Sequence, residues 1–377
     1  MLTQFIFSAS VNRLLTAIVI GALALAFTAN AQTSDAGIPS WRNPDIPYHP
    51  WTYNAQIHKA TWYPESVHWS PLGTDLLVTA CPKVKMDKVS CTPFRYRLKE
   101  ERWESLPELP DTAGTRYGDA IYSPDAQHIV AVETGYNCPE CANGVGSRLV
   151  LLNRDGGRVR YLTPHGFRIK PTFSKDGSRL VYWSLGLTTA GRTPIGLFDV
   201  WELDVETGVE RRLTHFLASE IEAPPRYWPD GKRIMMVAGE YARTPNREDF
   251  RSKDGRHLIT YASAFKRNGT VVIEPGIEVV KPYFLPSEDN WLFVLDISTD
   301  GGRVVYDDHR KCIKEKRIDV PSAEGNCLVK KPNRMRVASY SPSGNALASI
   351  WGPSPALYRL GIVDAKDETI RFIDLLW

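Results

Sequence analysis

Charge of one sign is what this 377-residue chain lacks: 46 Lys+Arg stand against 43 Asp+Glu, a formal net charge of +3. That balance leaves no basic surface of the size nucleic-acid binding needs, so no nucleic-acid partner is expected. Long apolar runs are missing after the first thirty residues, and no later segment approaches the ~20 apolar residues of a membrane span. There is no Gly-x-Ser-x-Gly elbow of a hydrolase. No Gly-rich phosphate loop follows a strand and opens a helix. What is abundant is 27 Gly and 27 Pro, with 11 Trp and 16 Tyr. This mixture favours many short strands joined by tight turns over a helical bundle.

Leu14 to Phe27 is apolar and uncharged, preceded by Arg13 and followed by Ala29-Asn30-Ala31. Small residues at both peptidase-read positions after such a run describe a secretory signal over residues 1–31, cleaved before Gln32. An uncleaved anchor is the alternative, and the run is short for it. No Cys follows the cleavage point, so a lipoprotein anchor is not indicated. The mature chain is expected in the periplasm or secreted. Its six cysteines, Cys81, Cys91, Cys138, Cys141, Cys312 and Cys327, are then read first as disulfides. Proximity pairs them in that order, each closing a short loop worth ~2–3 kcal/mol. Cys138-Pro139-Glu140-Cys141 also has zinc and thiol-oxidoreductase spacing. It lacks a second ligand pair nearby and a βαβ context, which leaves a local disulfide as the plainer reading.

Internal repeats decide the architecture. Phe173-Ser174-Lys175-Asp176-Gly177 precedes Arg179–Trp183, Tyr227-Trp228-Pro229-Asp230-Gly231 precedes Arg233–Val237, and Tyr122-Ser123-Pro124-Asp125-Ala126 precedes His128–Val132. Weaker copies start at Trp69, Ile297 and Tyr340. Each reads as an aromatic or aliphatic strand end, a turn of Pro, Asp and Gly, and a new strand rich in β-branched residues. Further turn signals lie at Asp155-Gly156, Thr207-Gly208, Asn268-Gly269 and Gly325-Asn326. The Asn-Gly pair predicts a two-residue hairpin joining Ile259–Phe265 to Thr270–Ile273. Two hairpins per unit make a four-stranded blade, and six units predict an all-β, six-bladed propeller. The long step from the fourth unit to the fifth requires insertions around Glu240–His257 and Pro275–Asn290.

These units resemble the repeats of the TolB-like propeller family, an aromatic followed by Ser-Pro-Asp-Gly and alternating aliphatic positions. The strand-ending Leu-Thr of that family is matched by Leu162-Thr163 and Leu213-Thr214. The resemblance covers residues 63–377 and implies the fold, whereas it is unspecific for activity. The protein that names the family carries an α/β domain before its propeller, and here residues 32–62 form only a Trp- and Pro-rich lead-in. This chain is therefore not expected to be that translocation protein. Distant relatives with this propeller cleave oligogalacturonate at a His-rich axial metal site; their motif is not recognisable here, so no residue is carried over.

The repeat register also sorts loops by face. Asp-Gly turns join first and second strands on one face, while second-to-third-strand links and blade-to-blade links share the other. The second face receives Cys81–Cys91, Cys138–Cys141, His165, Arg168, His215, the 240–257 insertion and Asp307–Cys312, and binding residues tend to sit on such loops. Arg168, Arg243, Arg247 and Arg251 are its candidate binding residues. Asp307, Asp308 and His309 set two carboxylates beside an imidazole, a composition able to hold a divalent metal or move protons. A solvated strand end is the plainer reading of them, since adjacent strand residues face opposite sides. His165 and His215 occupy equivalent places after successive Leu-Thr steps, and packed roles compete with ligation for both. Trp41, Trp51 and Trp62 are expected to cover the propeller's outer edge. Ile370–Leu376 has the pattern of an outermost strand, so the ring is expected to close without borrowing one from residues 41–62.

The functional expectation is an exported scaffold that binds another envelope or secreted protein, with no cofactor implied. The competing expectation is a metal-assisted lyase or hydrolase acting on an oligosaccharide near the axis through His165, His215 and Asp307–His309.

Overall fold

The computed structural model describes residues 62–82, 91–109, 115–135, 146–185, 198–214, 223–238, 269–275, 281–282, 293–307, 312–320, 325–330, 335–352, 358–364, 366 and 369–375. The described residues contain twenty-four strands and no helix, hence none long and apolar enough to cross a membrane. Blade 1 is β1 (Trp62–Trp69), β2 (Asp75–Pro82), β3 (Thr92–Arg97) and β4 (Arg102–Ser105). Blade 2 is β5 (Thr115–Tyr122), β6 (His128–Gly135), β7 (Gly146–Asn153) and β8 (Arg158–Tyr161). Blade 3 is β9 (Arg168–Phe173), β10 (Arg179–Leu185), β11 (Phe198–Asp204) and β12 (Glu210–Arg212). Blade 4 is β13 (Arg226–Tyr227), β14 (Ile234–Ala238), β15 (Gly269–Ile273) and β16 (Lys281–Pro282). Blade 5 is β17 (Phe293–Ile297), β18 (Arg303–Asp307), β19 (Cys312–Arg317) and β20 (Asn326–Lys330). Blade 6 is β21 (Met335–Tyr340), β22 (Ala346–Trp351), β23 (Arg359–Asp364) and β24 (Thr369–Ile373). Every blade is a separate antiparallel sheet whose strands follow chain order. The all-β, six-bladed propeller is thus observed, with each repeat supplying one blade.

Period-two alternation on the second strand of each blade builds the core. Leu77 packs with Tyr117, Tyr122 and Ile129 of blade 2, while Leu76 and Val78 pack with Ala348, Ile350 and Leu360 of blade 6. In blade 3, Leu180 and Tyr182 face blade 2, and Val181 and Trp183 face Ile234 and Met236 of blade 4. Met235 turns the other way, to Val304 and Tyr306 of blade 5. Each fully buried side chain of this kind contributes ~1.5–3 kcal/mol. Closure needs no exchanged strand, since β24 is the outer strand of its own sheet. The Trp69 amide donates to Ser339 Oγ at 3.2 Å, and Trp103 Nε1 donates to the Asp374 carbonyl at 3.0 Å.

The repeat motif is explained by its turn. Ser174 Oγ donates to Asp176 at 2.6 Å and accepts from the Arg179 amide at 2.9 Å, while the Gly177 amide donates to the Ser174 carbonyl at 3.0 Å. Gly177 has φ +76°, and an added Cβ there would lie 3.3 Å from Pro124 of blade 2. Gly73 likewise approaches Pro342 of blade 6, and Gly301 approaches Pro229 of blade 4. Turns of successive blades therefore stack on one another. The Leu-Thr pair has a similar local cause: Thr163 Oγ1 accepts the Leu149 amide at 3.0 Å and Thr214 Oγ1 the Val200 amide at 2.9 Å, extending the ladder past the outer strand.

The aromatic before the turn does more than fill space. Tyr122 donates its hydroxyl to Asp75 of blade 1, Tyr227 to Glu202 of blade 3 at 2.9 Å, and Tyr340 to Glu315 of blade 5 at 2.8 Å. Each acid is also held by arginine: Asp75 by Arg95 and Arg97, Glu202 by Arg179 and Arg211, Glu315 by Arg303. Burial, together with the neighbouring carboxylate, pushes all three tyrosine hydroxyls upward.

Two sequence expectations need correction. Trp62 does not cover the outer edge; it is the first residue of β1, edge-on to Phe94 at 5.7 Å. Gly269 is the first residue of β15 and not a turn residue, and Thr270–Ile273 is not the second arm of a hairpin with Ile259–Phe265, because β15 pairs with β14 on one side and β16 on the other. A local turn signal gave way to packing that needed those residues as a third strand. Trp41, Trp51 and Ile259–Phe265 lie outside the described residues.

Two stability outcomes follow. Tyr122→Phe leaves the buried Asp75 short of a donor and should cost about 1–3 kcal/mol in equilibrium denaturant unfolding. Gly177→Ala should cost ~1–2 kcal/mol in the same measurement, because an L-residue is strained at that φ and the methyl presses on Pro124.

Candidate functional site at the propeller axis

The first strands touch one another around the ring, β1 against β5, β5 against β9, β9 against β13, β17 against β21 and β21 against β1. Five of the six carry a bulge: between Pro64 and Ser66, Gly118 and Ile121, Ile169 and Thr172, Val294 and Asp296, and Met335 and Val337. A bulge leaves a residue unpaired and re-aims its side chain. In blades 1 to 3 those positions hold Glu65, Asp119 and Lys170. Asp119 and Lys170 have φ +44° and +53°, a left-handed conformation costing each ~1–2 kcal/mol. The Lys170 amide donates to Asp119 Oδ2 at 3.0 Å, and Arg116 is ion-paired with Glu65 Oε1. Burial pushes the Glu65 carboxyl up, opposed by Arg116 and reinforced by Asp119. Tyr63, edge-on to Tyr358 at 6.2 Å, is pushed up by burial and by Glu65.

A second tier stands two residues before the turn position of each repeat. There Thr172 donates to the Pro225 carbonyl, Arg226 pairs with Asp296 at 3.1 Å, and Asp296 accepts the Tyr340 amide at 2.7 Å. Each bond links one blade to the next. Burial pushes the Asp296 carboxyl up against the pull of Arg226. His68 occupies this position in blade 1. It is half-buried, and burial with the Arg226 charge holds its imidazole down at about 3.

The residues singled out from sequence are distributed differently. Arg168 turns its guanidinium onto Glu210 of its own blade, with bonds of 3.1 and 3.0 Å, and Tyr182 joins them. His165 is half-buried in the link from blade 2 to blade 3, with an enclosed Nδ1 that lacks a hydrogen-bond partner. Asp307 ends β18 and is 1% exposed. Disulfides join Cys81 to Cys91 and Cys312 to Cys327, as proximity suggested. His215, Asp308, His309, Cys138, Cys141, Arg243, Arg247 and Arg251 lie outside the described residues. Missed from sequence were Glu65, His68, Arg116, Asp119, Lys170, Arg226 and Asp296. Only His68, Arg226 and Asp296 shared a signal, a charged or polar residue two positions before the turn inside a strand otherwise expected to be buried.

The chain superposes on TolB from Acinetobacter baumannii with a TM-score of 0.52 at 13% identity, over 84% of this chain and 64% of that one. The fold is that of TolB-like propellers. The TolB-like resemblance read from the repeats is thus matched in three dimensions, and at such identity it concerns the fold alone. The chain spans less than two thirds of that TolB. An oligogalacturonate lyase in complex with manganese shares the TolB-like fold with a TM-score of 0.51 at 12% identity, over 82% of this chain and 77% of the lyase. No family model and no curated protein sequence matches the chain.

The depressed His68 imidazole fixes a pH dependence. Between about 3 and its unfolded value of ~6.5, the unfolded chain takes up a proton that the folded chain does not. Its contribution is complete above that window and is lost as pH falls through it, by at most ~1.4 kcal/mol per pH unit. His68→Gln should flatten the acid limb of a stability–pH profile between pH ~6 and ~4, read by denaturant midpoints.

Proposed function

We propose that the chain is an exported propeller scaffold that binds another envelope or secreted protein across one face. The observation that carries this reading is the inequality of the two faces. On one, first and second strands are joined by tight turns, as at 70–74, 123–127, 174–178 and 298–302. On the other, the second-to-third-strand links are longer in five of the six blades, from 352–358 in blade 6 to 239–268 between β14 and β15, and only blade 5 has a short one, 308–311. The Cys81–Cys91 disulfide pins the corresponding link of blade 1. Grafted binding loops on a rigid frame are a recurrent use of such scaffolds. Disulfides support export, because they form and persist in oxidising compartments. Arg243, Arg247 and Arg251 belong to the 239–268 link and are the charged residues assigned to the contact.

One observation favours a second reading, an oligosaccharide-cleaving enzyme. An enclosed imidazole nitrogen without a partner at His165 can serve as a ligand or base.

Crosslinking in intact cells, with recovery through a C-terminal tag and mass spectrometry, separates the two. The scaffold reading expects one abundant envelope protein that disappears when Arg243, Arg247 and Arg251 are each changed to Glu. Recovery of no such protein overturns it. Stoichiometric bound metal together with oligogalacturonate cleavage, both lost in His165→Ala, would then establish the enzyme.

A further inference from the structure

Glu65, Cys81 and Cys91 meet beside the axis of blade 1, with candidate ligand atoms all within 4.8 Å of one another. Cys81 Sγ lies 3.5 Å from Glu65 Oε2. A disulfide sulfur has no proton to donate, so this contact is no hydrogen bond. The other oxygen of Glu65 is held by Arg116. Both cysteines are almost fully buried, whereas the Glu65 side chain is 31% exposed and gives the group a way in. The surrounding backbone does not depend on the sulfur bond. Cys81 pairs with Tyr63 of β1, Ala80 pairs with Thr92 of β3, and the Cys91 carbonyl accepts the Tyr117 amide of blade 2 at 2.9 Å.

We propose that Glu65, Cys81 and Cys91 form a redox-gated site for a zinc-class cation, closed while the disulfide is intact and opened by its reduction. A dithiol reductant delivers two electrons and two protons to the cystine, giving two thiols and leaving the reductant as a disulfide. Metal binding then releases both thiol protons to solvent. Zinc bonds of ~2.3 Å to sulfur and ~2.0–2.2 Å to oxygen in a tetrahedron set sulfur and oxygen ~3.5 Å apart. Cys81 Sγ and Glu65 Oε2 already hold that separation. The sulfurs must part to ~3.8 Å by the same geometry, and Cys91 Sγ, within 4.8 Å of a Glu65 oxygen, must settle ~3.5 Å from it, both through side-chain rotation. Thiolate ligands select zinc over calcium or magnesium. Two thiolates and a carboxylate leave one excess negative charge, which Arg116 offsets while orienting Glu65. Water completes the fourth position.

The test uses the full mature chain, reduced with a trialkylphosphine, freed of it under argon, and titrated with cobalt(II) as a spectroscopic stand-in, followed by zinc. One cobalt equivalent with an intense sulfur-to-cobalt charge-transfer band is expected after reduction and not before. Zinc should displace it. Cys81→Ser/Cys91→Ser retains the other four cysteines and should take up one equivalent less. Glu65→Gln, which keeps both thiols, should bind about tenfold more weakly or worse. Equal uptake by wild type and the double-serine variant overturns the proposal. So does unchanged affinity in Glu65→Gln, or loss of the β-sheet circular dichroism on reduction before metal is added.

Discussion

Every blade of this propeller is a sheet with two apolar faces, and neither can be left in water. That constraint governs the rest. Strand alternation sends Leu76 and Val78 one way and Leu77 the other, and Leu180 and Val181 divide between blades 2 and 4 in the same manner. Each of these sheets therefore shares its core with both neighbours. Non-directional burial sets the strength of these interfaces. Their angle and register come from directional contacts laid over it, the Tyr–carboxylate–Arg groups at three interfaces and the glycine-on-proline stacking of the turns.

The axis is where that logic is relaxed. First strands neighbour one another around a common line, and bulges bend five of the six there. Charged residues take these places because each finds its partner on an adjacent blade: Arg116 on Glu65, Arg226 on Asp296, the Lys170 amide on Asp119. Removing one member of the Arg226–Asp296 pair leaves an uncompensated, largely buried charge, so this contact locks blades together more than it adds net stability. The left-handed conformations of Asp119 and Lys170 are strain that the surrounding sheets hold in place. Glu65 stands apart within this set, since one oxygen faces a sulfur that offers it no proton.

Fold and repeat number were legible because they rest on local chemistry repeated in register. Ser174, Asp176 and Gly177 make their turn with bonds that span five residues or fewer, and the same bonds recur at Ser123 and Ser298. The pairings Cys81–Cys91 and Cys312–Cys327 were legible for a like reason, their short separation along the chain. The axial set was not legible. Glu65 and Arg116, or Arg226 and Asp296, are far apart in sequence and carry no motif. Arg168 looked available for a partner until the sheet brought Glu210 beneath it.

By itself, then, the sequence determined the class, the number of blades, the position of each first turn and the closure by the last strand's own sheet. Those features follow from backbone preferences of Pro, Asp and Gly and from period-two burial, both encoded within a few residues. Only the tertiary structure decided which charges meet at the axis, which tyrosines bridge blades, and that Gly269 begins a third strand paired to β14. These depend on residues brought together by ring closure, a condition that no local stretch of the chain contains.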